Sequence, residues 1–319
     1  MKYLPIRQAI EEADKITLFR HTHPDGDAAG SQLGLKEWIL CNYPQKDVRA
    51  LGFEHFSTYP YTDEADDEFV ASSLAIITDT SNSARVDDRR FRTAKRVIRI
   101  DHHPIVEEFE ELLYCEPQRG SVCEYIAEIL MGEDFKGTVM PRKAAEYLYS
   151  GILTDTLNFR TSDCDASTLK NAAKLVDCGL DMNELSVRMF DVSQQEFALR
   201  TKIRNYFDYQ DGLCFVKLNK EAIGEIGIDS DTAKIMIDEF GKVIDYKIWA
   251  VLAYNSKTKL YDGSLRSKNG YIVNEIASRY NGGGHDCAAG IKNLSEEDVE
   301  NCRKDLLEEN CRADKNQHK

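Results

Sequence analysis

The chain has 319 residues, 42% of them hydrophobic and 30% charged, with only 7 prolines and 19 glycines, which excludes a disordered or collagen-like polymer. This length predicts about two domains, each large enough to fold around its own hydrophobic core. The 41 basic and 55 acidic residues give a net charge of −14, which argues against tight binding of long duplex nucleic acid because such binding needs a broad basic surface.

Neither a membrane span nor a secretion signal is predicted. No run of residues approaches the ~20 apolar positions that a membrane helix requires, and the first residues lack the apolar core of a signal peptide. We therefore expect a cytoplasmic protein without membrane contacts. The 9 cysteines form no CxxC pair, which favours reduced thiols over disulfides or a structural zinc site.

The first half of the chain alternates between two kinds of hydrophobic pattern. Short apolar or β-branched runs predict strands at 15–20, 48–53, 74–79 and 96–101. Apolar residues spaced by three and four predict helices at 31–41, 121–131, 142–152 and 166–178. This alternation is typical of an α/β fold, with a mainly parallel sheet and helices on both faces.

The second half predicts a smaller α+β domain, joined to the first by a polar, helix-like segment at 181–208. Its strands are predicted at 213–218, 246–254 and 259–266, and its helices near 231–241, 271–280 and 295–309. We divide the chain into a first domain (1–185), a helical linker (186–208) and a second domain (209–319).

The richest concentration of metal-binding residue types is HTHPDGD at 21–27, directly after the first predicted strand. Imidazole nitrogens and carboxylate oxygens together suit Mn²⁺, Mg²⁺, Zn²⁺ or Fe²⁺. Asp and His residues also follow three later apolar runs. Because the carboxyl ends of parallel strands meet at one edge of a sheet, we expect one site formed by His21, His23, Asp25, Asp27, Asp79, Asp101, His102, His103 and Asp155.

This donor set favours a pair of divalent ions about 3.5–4 Å apart, bridged by one carboxylate. Such a pair generates hydroxide from water near neutral pH and offsets negative charge on a phosphoryl group, so the chemistry indicated is hydrolysis of a phosphate ester or anhydride. A single-metal protease or deaminase is disfavoured, because the sequence has neither HExxH nor the paired cysteines of a zinc deaminase.

Two features of the second half could bind an anion. The glycines of GGGHDCAAG (282–290) would let the backbone approach a phosphate, with His285 as donor, although a tight helix-to-strand turn explains them equally well. Arg266 ends a predicted strand and could grip a phosphate or carboxylate, or simply face solvent. The basic stretch 85–99 could attract a nucleotide through Arg85, or form a solvated surface.

Taken together, these motifs resemble the DHH phosphoesterase family. HTHPDGD, Asp79, the Asp101-His102-His103 triplet and Asp155 stand in the order and spacing of that family's motifs, and SLRS (264–267) and GGGHDCAAG are similar to its associated C-terminal domain. The size resembles the bacterial nanoRNases, exonucleases of short oligoribonucleotides that also remove the 3′-phosphate of adenosine 3′,5′-bisphosphate. Two segments depart from the family pattern: Leu157, where a small residue is more usual, and RGSVCEY at 119–125.

The resemblance implies specific roles, position by position. One metal would be held by His21, Asp25 and Asp79, and the other by Asp27, Asp79, His102 and Asp155, with Asp79 bridging. The catalytic group would comprise Asp25, Asp27, Asp79 and His103, with His103 facing the scissile phosphate. Substrate binding would involve His23 beside the metals and, across an interdomain cleft, Arg266, Gly283, Gly284 and His285.

The first hypothesis is therefore a Mn²⁺-dependent phosphodiesterase and phosphatase, with Mg²⁺, Co²⁺ or Fe²⁺ as other metals. Through a two-metal-activated hydroxide it would release nucleoside 5′-monophosphates from short oligoribonucleotides, or AMP from adenosine 3′,5′-bisphosphate. An alternative within the same chemistry is hydrolysis of cyclic di-AMP or pApA to AMP. A non-catalytic nucleotide sensor is the alternative of another class, and a homodimer is the expected assembly.

Overall fold

The structure is a computed structural model that describes residues 2–161, 163–268 and 270–317, without the side chains of His285 and of residues 314–317. It divides into two compact units, Met1–Asp191 and Val192–Lys319. Within the described residues, no helix is both long and apolar enough to cross a membrane.

The first unit is built on a five-stranded parallel sheet in the order β2-β1-β3-β4-β5. Its strands are β1 (Lys15–Phe19), β2 (Asp47–Ala50), β3 (Leu74–Thr78), β4 (Arg96–Asp101) and β5 (Leu112–Cys115). Its helices are α1 (Leu4–Glu12), α2 (Gly26–Asn42), α3 (Asp67–Ala71), α4 (Val122–Leu130), α5 (Arg142–Asp155), α6 (Ala166–Val176) and α7 (Met182–Phe190).

Both faces of this sheet are buried. On β3, Leu74 and Ile76 belong to the main core with residues of α1, α2, α4 and α5, whereas Ala75 and Ile77 belong to a second cluster with Val70 of α3. Successive side chains of a strand point to opposite faces, so a strand buried on both sides has a continuous apolar sequence. The predicted α/β fold is confirmed.

Glycines on α2 set how closely it packs against α5. Gly26, Gly30 and Gly34 recur every four residues and lie on one face, where added Cβ atoms would meet atoms of Thr154, Gly151 and Leu148. The two helices are antiparallel in effect, since the N-terminal Gly26 lies beside the C-terminal Thr154. This contact brings the start of α2 and the end of α5 together.

The second unit contains a six-stranded mixed sheet in the order β10-β11-β9-β8-β7-β6, in which only β7 and β8 pair in parallel. Its strands are β6 (Phe207–Gln210), β7 (Leu213–Leu218), β8 (Ile248–Asn255), β9 (Leu260–Ser267), β10 (Gly283–His285) and β11 (Ala288–Leu294). Its helices are α8 (Gln194–Arg204), α9 (Lys220–Ile226), α10 (Ser230–Ile235), α11 (Asn274–Arg279) and α12 (Glu296–Gln317). The predicted smaller α+β domain is confirmed.

Three local predictions differ from the structure. Helix α2 begins at Gly26 rather than at 31, because Asp25 caps it by accepting the backbone N–H groups of Asp27 and Ala28. The segment 181–208 contains helices α7 and α8 and the first half of strand β6 rather than one continuous helix. Residues 283–285 form a strand rather than only a loop.

Candidate metal centre

The candidate centre lies at the carboxyl edge of the first sheet. Strands β1, β3 and β4 are adjacent and parallel, so the residues that follow them meet at this edge. His21 comes two residues after β1, and Asp79 directly after β3. Asp155 is the last residue of helix α5 and not a residue after a strand, and it reaches the same edge through the contact between α2 and α5.

Seven of the predicted side chains converge there. Within each of three groups, one ligand atom per residue lies within 4.8 Å of the others. Asp79 and His102 each belong to two groups, so the three groups form one continuous cluster. The groups are His21, Asp25 and Asp79; Asp79, His102 and His103; and Asp27, His102 and Asp155.

Asp79 is the central carboxylate of this cluster. Its Oδ2 lies 3.3 Å from His21 Nε2 and its Oδ1 lies 3.7 Å from His102 Nε2. The side chain is buried, and its Oδ1 has no hydrogen-bond partner among the described residues. Its backbone is left-handed, with φ of 59°. A strained residue with an unsatisfied buried oxygen fits a metal ligand that bridges two positions.

Backbone carbonyls orient the two principal imidazoles. The Nδ1 of His21 lies 2.8 Å from the carbonyl oxygen of Thr22, and that of His102 lies 3.0 Å from the carbonyl oxygen of Arg119. When Nδ1 donates its proton in this way, Nε2 is left as the ligand atom. The Nε2 of His102 faces Asp155 at 3.5 Å. Both rings therefore direct Nε2 at the carboxylates of the cluster.

The N-terminus of helix α4 holds the side chain of Asp27. The backbone N–H groups of Val122 and Cys123 donate to its Oδ2 and Oδ1 at 2.7 and 2.9 Å. A Cβ atom at Gly151 would clash with Cys123 Sγ and lie 3.0 Å from Asp27 Oδ1. The segment 119–125, which departs from the family pattern, thus positions the candidate ligand Asp27 without supplying a side chain to the three groups.

Asp25 combines capping with a place in the cluster. Its Oδ1 accepts the N–H groups of Asp27 and Ala28 at 3.1 and 2.9 Å, while its Oδ2 lies 3.7 Å from His21 Nε2. Oδ1 thus caps the N-terminus of helix α2, and Oδ2 remains free to bind a metal ion in the cluster.

The crowding of acids has a clear electrostatic signature. Burial and the neighbouring carboxylates raise the pKa of Asp27 to about 7 and the pKa of Asp155 to about 8. Burial lowers the pKa of His21 and His102, but the adjacent aspartates outweigh it and raise both pKa values to about 9. Binding of positive charge therefore stabilises the cluster, whether the charge comes from protons or from cations. The donor set of carboxylates and imidazoles fits divalent cations.

Two further residues support the cluster: Asp101, which was expected in the site but lies outside the three groups, and Arg99, which the sequence analysis did not single out. Asp101 Oδ1 accepts a hydrogen bond from His103 Nδ1 at 2.9 Å, and its Oδ2 lies 3.6 Å from an Nη1 of the fully buried Arg99. Arg99 also donates to the carbonyl of Thr80 and to Glu110 Oε1. The sequence RVIRID could have indicated this pair, because Arg99 interrupts an apolar strand and a buried arginine is rare without an acidic partner.

His23 lies apart from the three groups. Its side chain is 89% exposed, its φ is 55°, and its Nδ1 lies 3.5 Å from Glu54 Oε2. Its backbone N–H also donates to Glu54. Leu157, the other departure from the family pattern, is likewise left-handed, with φ of 48°. Glycine would adopt this conformation at lower cost, and here the chain carries an exposed leucine instead.

The predicted residues of the second unit form a separate set. Arg266 in β9, Ala288 in β11 and His285 in β10 share one register across three strands. Arg266 is half-buried, and its guanidinium donates to the carbonyl of Leu265 at 3.0 Å. Gly283 and Gly284 precede His285 on β10. The side chain of His285 is not among those that the structure describes.

Comparison with known proteins identifies both units. The family model described as "DHH family, N-terminal domain" matches residues 15–152, and that of the "DHHA1 domain" matches residues 212–311. The chain is 31% identical to the bifunctional oligoribonuclease and PAP phosphatase NrnA of Bacillus subtilis over 302 residues, covering 94% of this chain and 96% of the relative. It is 30% identical to a probable NrnA of Streptococcus mutans over 304 residues, covering 93% and 96%.

Among solved structures, the fold is similar to that of an exopolyphosphatase-related protein from Bacteroides fragilis. The TM-score is 0.83 at 21% identity, and the match covers 96% of this chain and 95% of the other. At this identity the likeness establishes the fold alone. From the near-complete match to its relatives, the chain belongs to the DHH family, with a DHH domain followed by a DHHA1 domain.

Proposed function

We propose that this protein is a phosphoesterase that uses two divalent metal ions to hydrolyse short oligoribonucleotides to nucleoside 5′-monophosphates and adenosine 3′,5′-bisphosphate to AMP. The observation that carries the proposal is the convergence of carboxylates and imidazoles on the buried, unsatisfied Oδ1 of Asp79. The names of the relatives from Bacillus subtilis and Streptococcus mutans support the choice of substrates.

The residues that would hold the metals divide around Asp79. His21, Asp25 and Asp79 form one candidate set, and Asp27, Asp79, His102 and Asp155 form the other. Bound divalent ions offset the negative charge that develops on a phosphoryl group and promote ionisation of the attacking water. The mixture of carboxylate oxygens with imidazole nitrogens favours Mn²⁺, while Mg²⁺, Co²⁺ and Fe²⁺ remain candidates.

The chain's own contribution is to hold its side chains in position for the reaction. Asp101 fixes Nδ1 of His103, which leaves the Nε2 of this half-buried ring to contact the scissile phosphate. Asp25, Asp27 and Asp79 are held by helix termini or by the fold before any ligand arrives. His23 of the first unit, and Arg266, Gly283, Gly284 and His285 of the second, would bind the rest of the substrate.

The proposal is tested with a panel of substrates and metals. Protein stripped with EDTA and reloaded with Mn²⁺, Mg²⁺, Co²⁺ or Fe²⁺ is incubated with 5′-labelled di- to pentaribonucleotides, adenosine 3′,5′-bisphosphate, pApA and cyclic di-AMP. We expect release of nucleoside 5′-monophosphates from the oligoribonucleotides and of AMP from the bisphosphate. No turnover with any metal would contradict the proposal, and a preference for cyclic di-AMP would redirect it to cyclic dinucleotides.

A further inference from the structure

A loop rich in aromatic residues follows strand β2. Residues 52–62, which we call the aromatic loop, have the sequence GFEHFSTYPYT. Phe56 and Tyr59 face inward and pack with Ala29 and Leu33 of helix α2. In contrast, Phe53 is 75% exposed and Tyr61 is 79% exposed. The loop thus has an inner pair that anchors it and an outer pair without a described partner in the core.

The ring of Tyr61 is covered on one face only. His55 stacks on it with ring centroids 4.0 Å apart and an interplanar angle of 12°. His55 is itself held by a 2.7 Å hydrogen bond between its Nε2 and the carbonyl oxygen of Tyr59. Because Tyr61 is still largely exposed, its other face is open to solvent. A ring that is already oriented loses little further entropy when a second planar group stacks on it.

Phe53 and Tyr61 line a surface groove of about 790 Å³, together with Thr62, Glu64 and Arg90 among others. The volume is in the range of small-molecule sites, at roughly 300–1,000 Å³. The guanidinium of Arg90 already pairs with Asp88 and Asp67. An uncharged planar group is therefore a better occupant of the groove than a phosphate.

Buried contacts connect the aromatic loop to the segment 21–27, which carries candidate ligands. Arg20 donates to the carbonyl oxygens of His21 and Glu54 and pairs with Asp87 at 3.2 Å. Asp87 Oδ2 in turn accepts the N–H groups of Phe53 and Glu54 at 2.8 and 3.0 Å. The Arg20–Asp87 ion pair therefore fixes the backbone of Phe53, which lines the groove, relative to the backbone of His21.

We infer that the groove is a nucleobase subsite in which Tyr61, flanked by Phe53, stacks on a base of the bound oligoribonucleotide. The inference rests on the proposed function and adds a specificity determinant to it. Since Arg20, Asp87 and Glu54 lie between the groove and His21, the base belongs to a nucleotide adjacent to the one whose phosphate is attacked. Adenosine 3′,5′-bisphosphate has a single base and does not reach the groove.

The first test compares two substrates in the metal-loaded protein. Tyr61→Ala should lower kcat/KM for a triribonucleotide by about tenfold, because stacking on an aromatic ring contributes roughly that much per base. The same variant should leave kcat/KM for adenosine 3′,5′-bisphosphate within about twofold. Tyr61→Trp should retain triribonucleotide activity. Phe197→Ala, which removes an exposed aromatic ring in α8, is the matched control and should leave both activities unchanged.

The second test removes the base instead of the ring. Three triribonucleotides are compared, each lacking the base at a different position. For two of them Tyr61→Ala should still lower kcat/KM about tenfold, and for the third, which lacks the base that stacks on Tyr61, the substitution should have no effect. An equal loss on the bisphosphate, no loss on the triribonucleotide, or a loss that persists with every abasic substrate would overturn the inference.

A binding measurement separates this inference from the proposed function. In EDTA, a triribonucleotide should quench the additional fluorescence of Tyr61→Trp, whereas Phe197→Trp should show no quenching. Absence of quenching contradicts the subsite whether or not the protein is an active enzyme. Active wild-type protein with an unaffected Tyr61→Ala variant overturns only the subsite, whereas wild-type protein that hydrolyses no substrate overturns the proposed function.

Discussion

Buried or partly buried carboxylates occur in both units, but their surroundings are opposite. In the second unit, Glu239 is hydrogen-bonded by Arg200 and Arg204. Burial raises the pKa of Glu239, but the two guanidinium groups outweigh it and hold the pKa below its ordinary value. In the first unit, the pKa values of Asp27 and Asp155 rise to about 7 and about 8, because their nearest charged neighbours include other carboxylates.

This difference shows how a structural carboxylate can be distinguished from a functional one. A chain that supplies a cation to each buried acid has built an ion pair, as around Glu239. A chain that buries several acids together and supplies only titratable imidazoles has left the charge balance to a ligand. Substitutions in the two kinds of carboxylate should therefore differ in their effect on activity and on the response to metal ions.

Replacing the central carboxylate should have the largest effect. Asp79→Asn preserves the side-chain volume, and asparagine tolerates the left-handed backbone at this position. The substitution removes the negative charge of the one carboxylate that belongs to both the His21 group and the His103 group. We expect kcat to fall by at least about 1,000-fold. The steady-state rate with a diribonucleotide measures this.

The matched control for this substitution is Asp262→Asn, which changes a buried carboxylate of the second unit that accepts hydrogen bonds from Asn255 and from the backbone of Asn293. Its kcat should stay within about threefold, as expected for a change that touches no reacting group. If Asp79→Asn retains more than a few per cent of activity, the shared-ligand assignment is wrong.

Metal ions should reverse the pH dependence of stability. Asp27, Asp155, His21 and His102 all have raised pKa values, so the metal-free folded protein binds more protons than the unfolded chain between about pH 4 and 9. Its free energy of unfolding should therefore fall as the pH rises through that window. Binding of Mn²⁺ should add about 2.7 kcal/mol per ion at 100 times Kd, and more at high pH because protons no longer compete.

Calorimetric scans at pH 6 and pH 8.5, with EDTA and with Mn²⁺, measure the free energies involved. A metal-free protein that becomes more stable as the pH rises from 6 to 8.5 would contradict the charge imbalance. In Asp79→Asn the stabilisation by Mn²⁺ should be strongly reduced.

Removing the buried arginine should impair catalysis through His103. Arg99→Met leaves Asp101 without its buried cation, so the carboxylate that orients His103 is no longer held. We expect a loss of about 10- to 100-fold in kcat with little change in KM, and partial recovery in Arg99→Lys. Arg96→Met is the matched control, because Arg96 lies on the same strand but pairs with Glu111 at the surface. Equal effects of the two methionine variants would exclude a positioning role.

Two helical glycines distinguish a crowded from an open environment. Gly151→Ala would force a methyl group against Cys123 Sγ beside Asp27, and we expect it to lower the free energy of unfolding by about 1–3 kcal/mol and to weaken Mn²⁺ binding. In Gly224→Ala of helix α9, the added methyl group meets no atom within 4 Å. That variant should be more stable by about 0.5–1 kcal/mol. Chemical denaturation of both variants measures the difference.

Neutralising the paired carboxylate of the second unit should affect stability slightly and leave catalysis unchanged. The pKa of Glu239 is lowered in the folded protein, so its ion pair stabilises above the unfolded pKa and is lost as the pH falls through the folded value. Glu239→Gln should therefore be destabilised by about 1 kcal/mol at pH 7, with a smaller difference at pH 3. It should not change kcat or the response to Mn²⁺.

Much of the first unit could be predicted from its sequence. Strands β1, β3 and β4 are apolar runs bounded by polar residues, and the acids and histidines that follow them do meet at one edge. Parallel topology makes this juxtaposition predictable, because it depends on strand order and not on side-chain detail. The roles of these residues in metal binding stay predictions.

What the sequence did not reveal depends on close packing and on single buried partners. The start of helix α2 lacks apolar periodicity, because glycines rather than large side chains make its contact with α5. Strand β5 is only 4 residues long and follows a run of glutamates, so its pattern is weak. The spacing of Arg99 and Asp101 places both on one face of β4, but their burial and the contact of Asp101 with His103 depend on the surrounding fold.

The glycines of α2 bear on the metal binding that we propose. Because backbone lies against backbone there, the separation between Asp27 and Asp155 is set by two rigid helices rather than by flexible loops. In the metal centre that we propose, the donors would be in place before an ion enters, so loading would need little reorganisation, and an ion of unsuitable radius could not draw the helices together to improve its fit. The helix packing would then discriminate between ions by their radius.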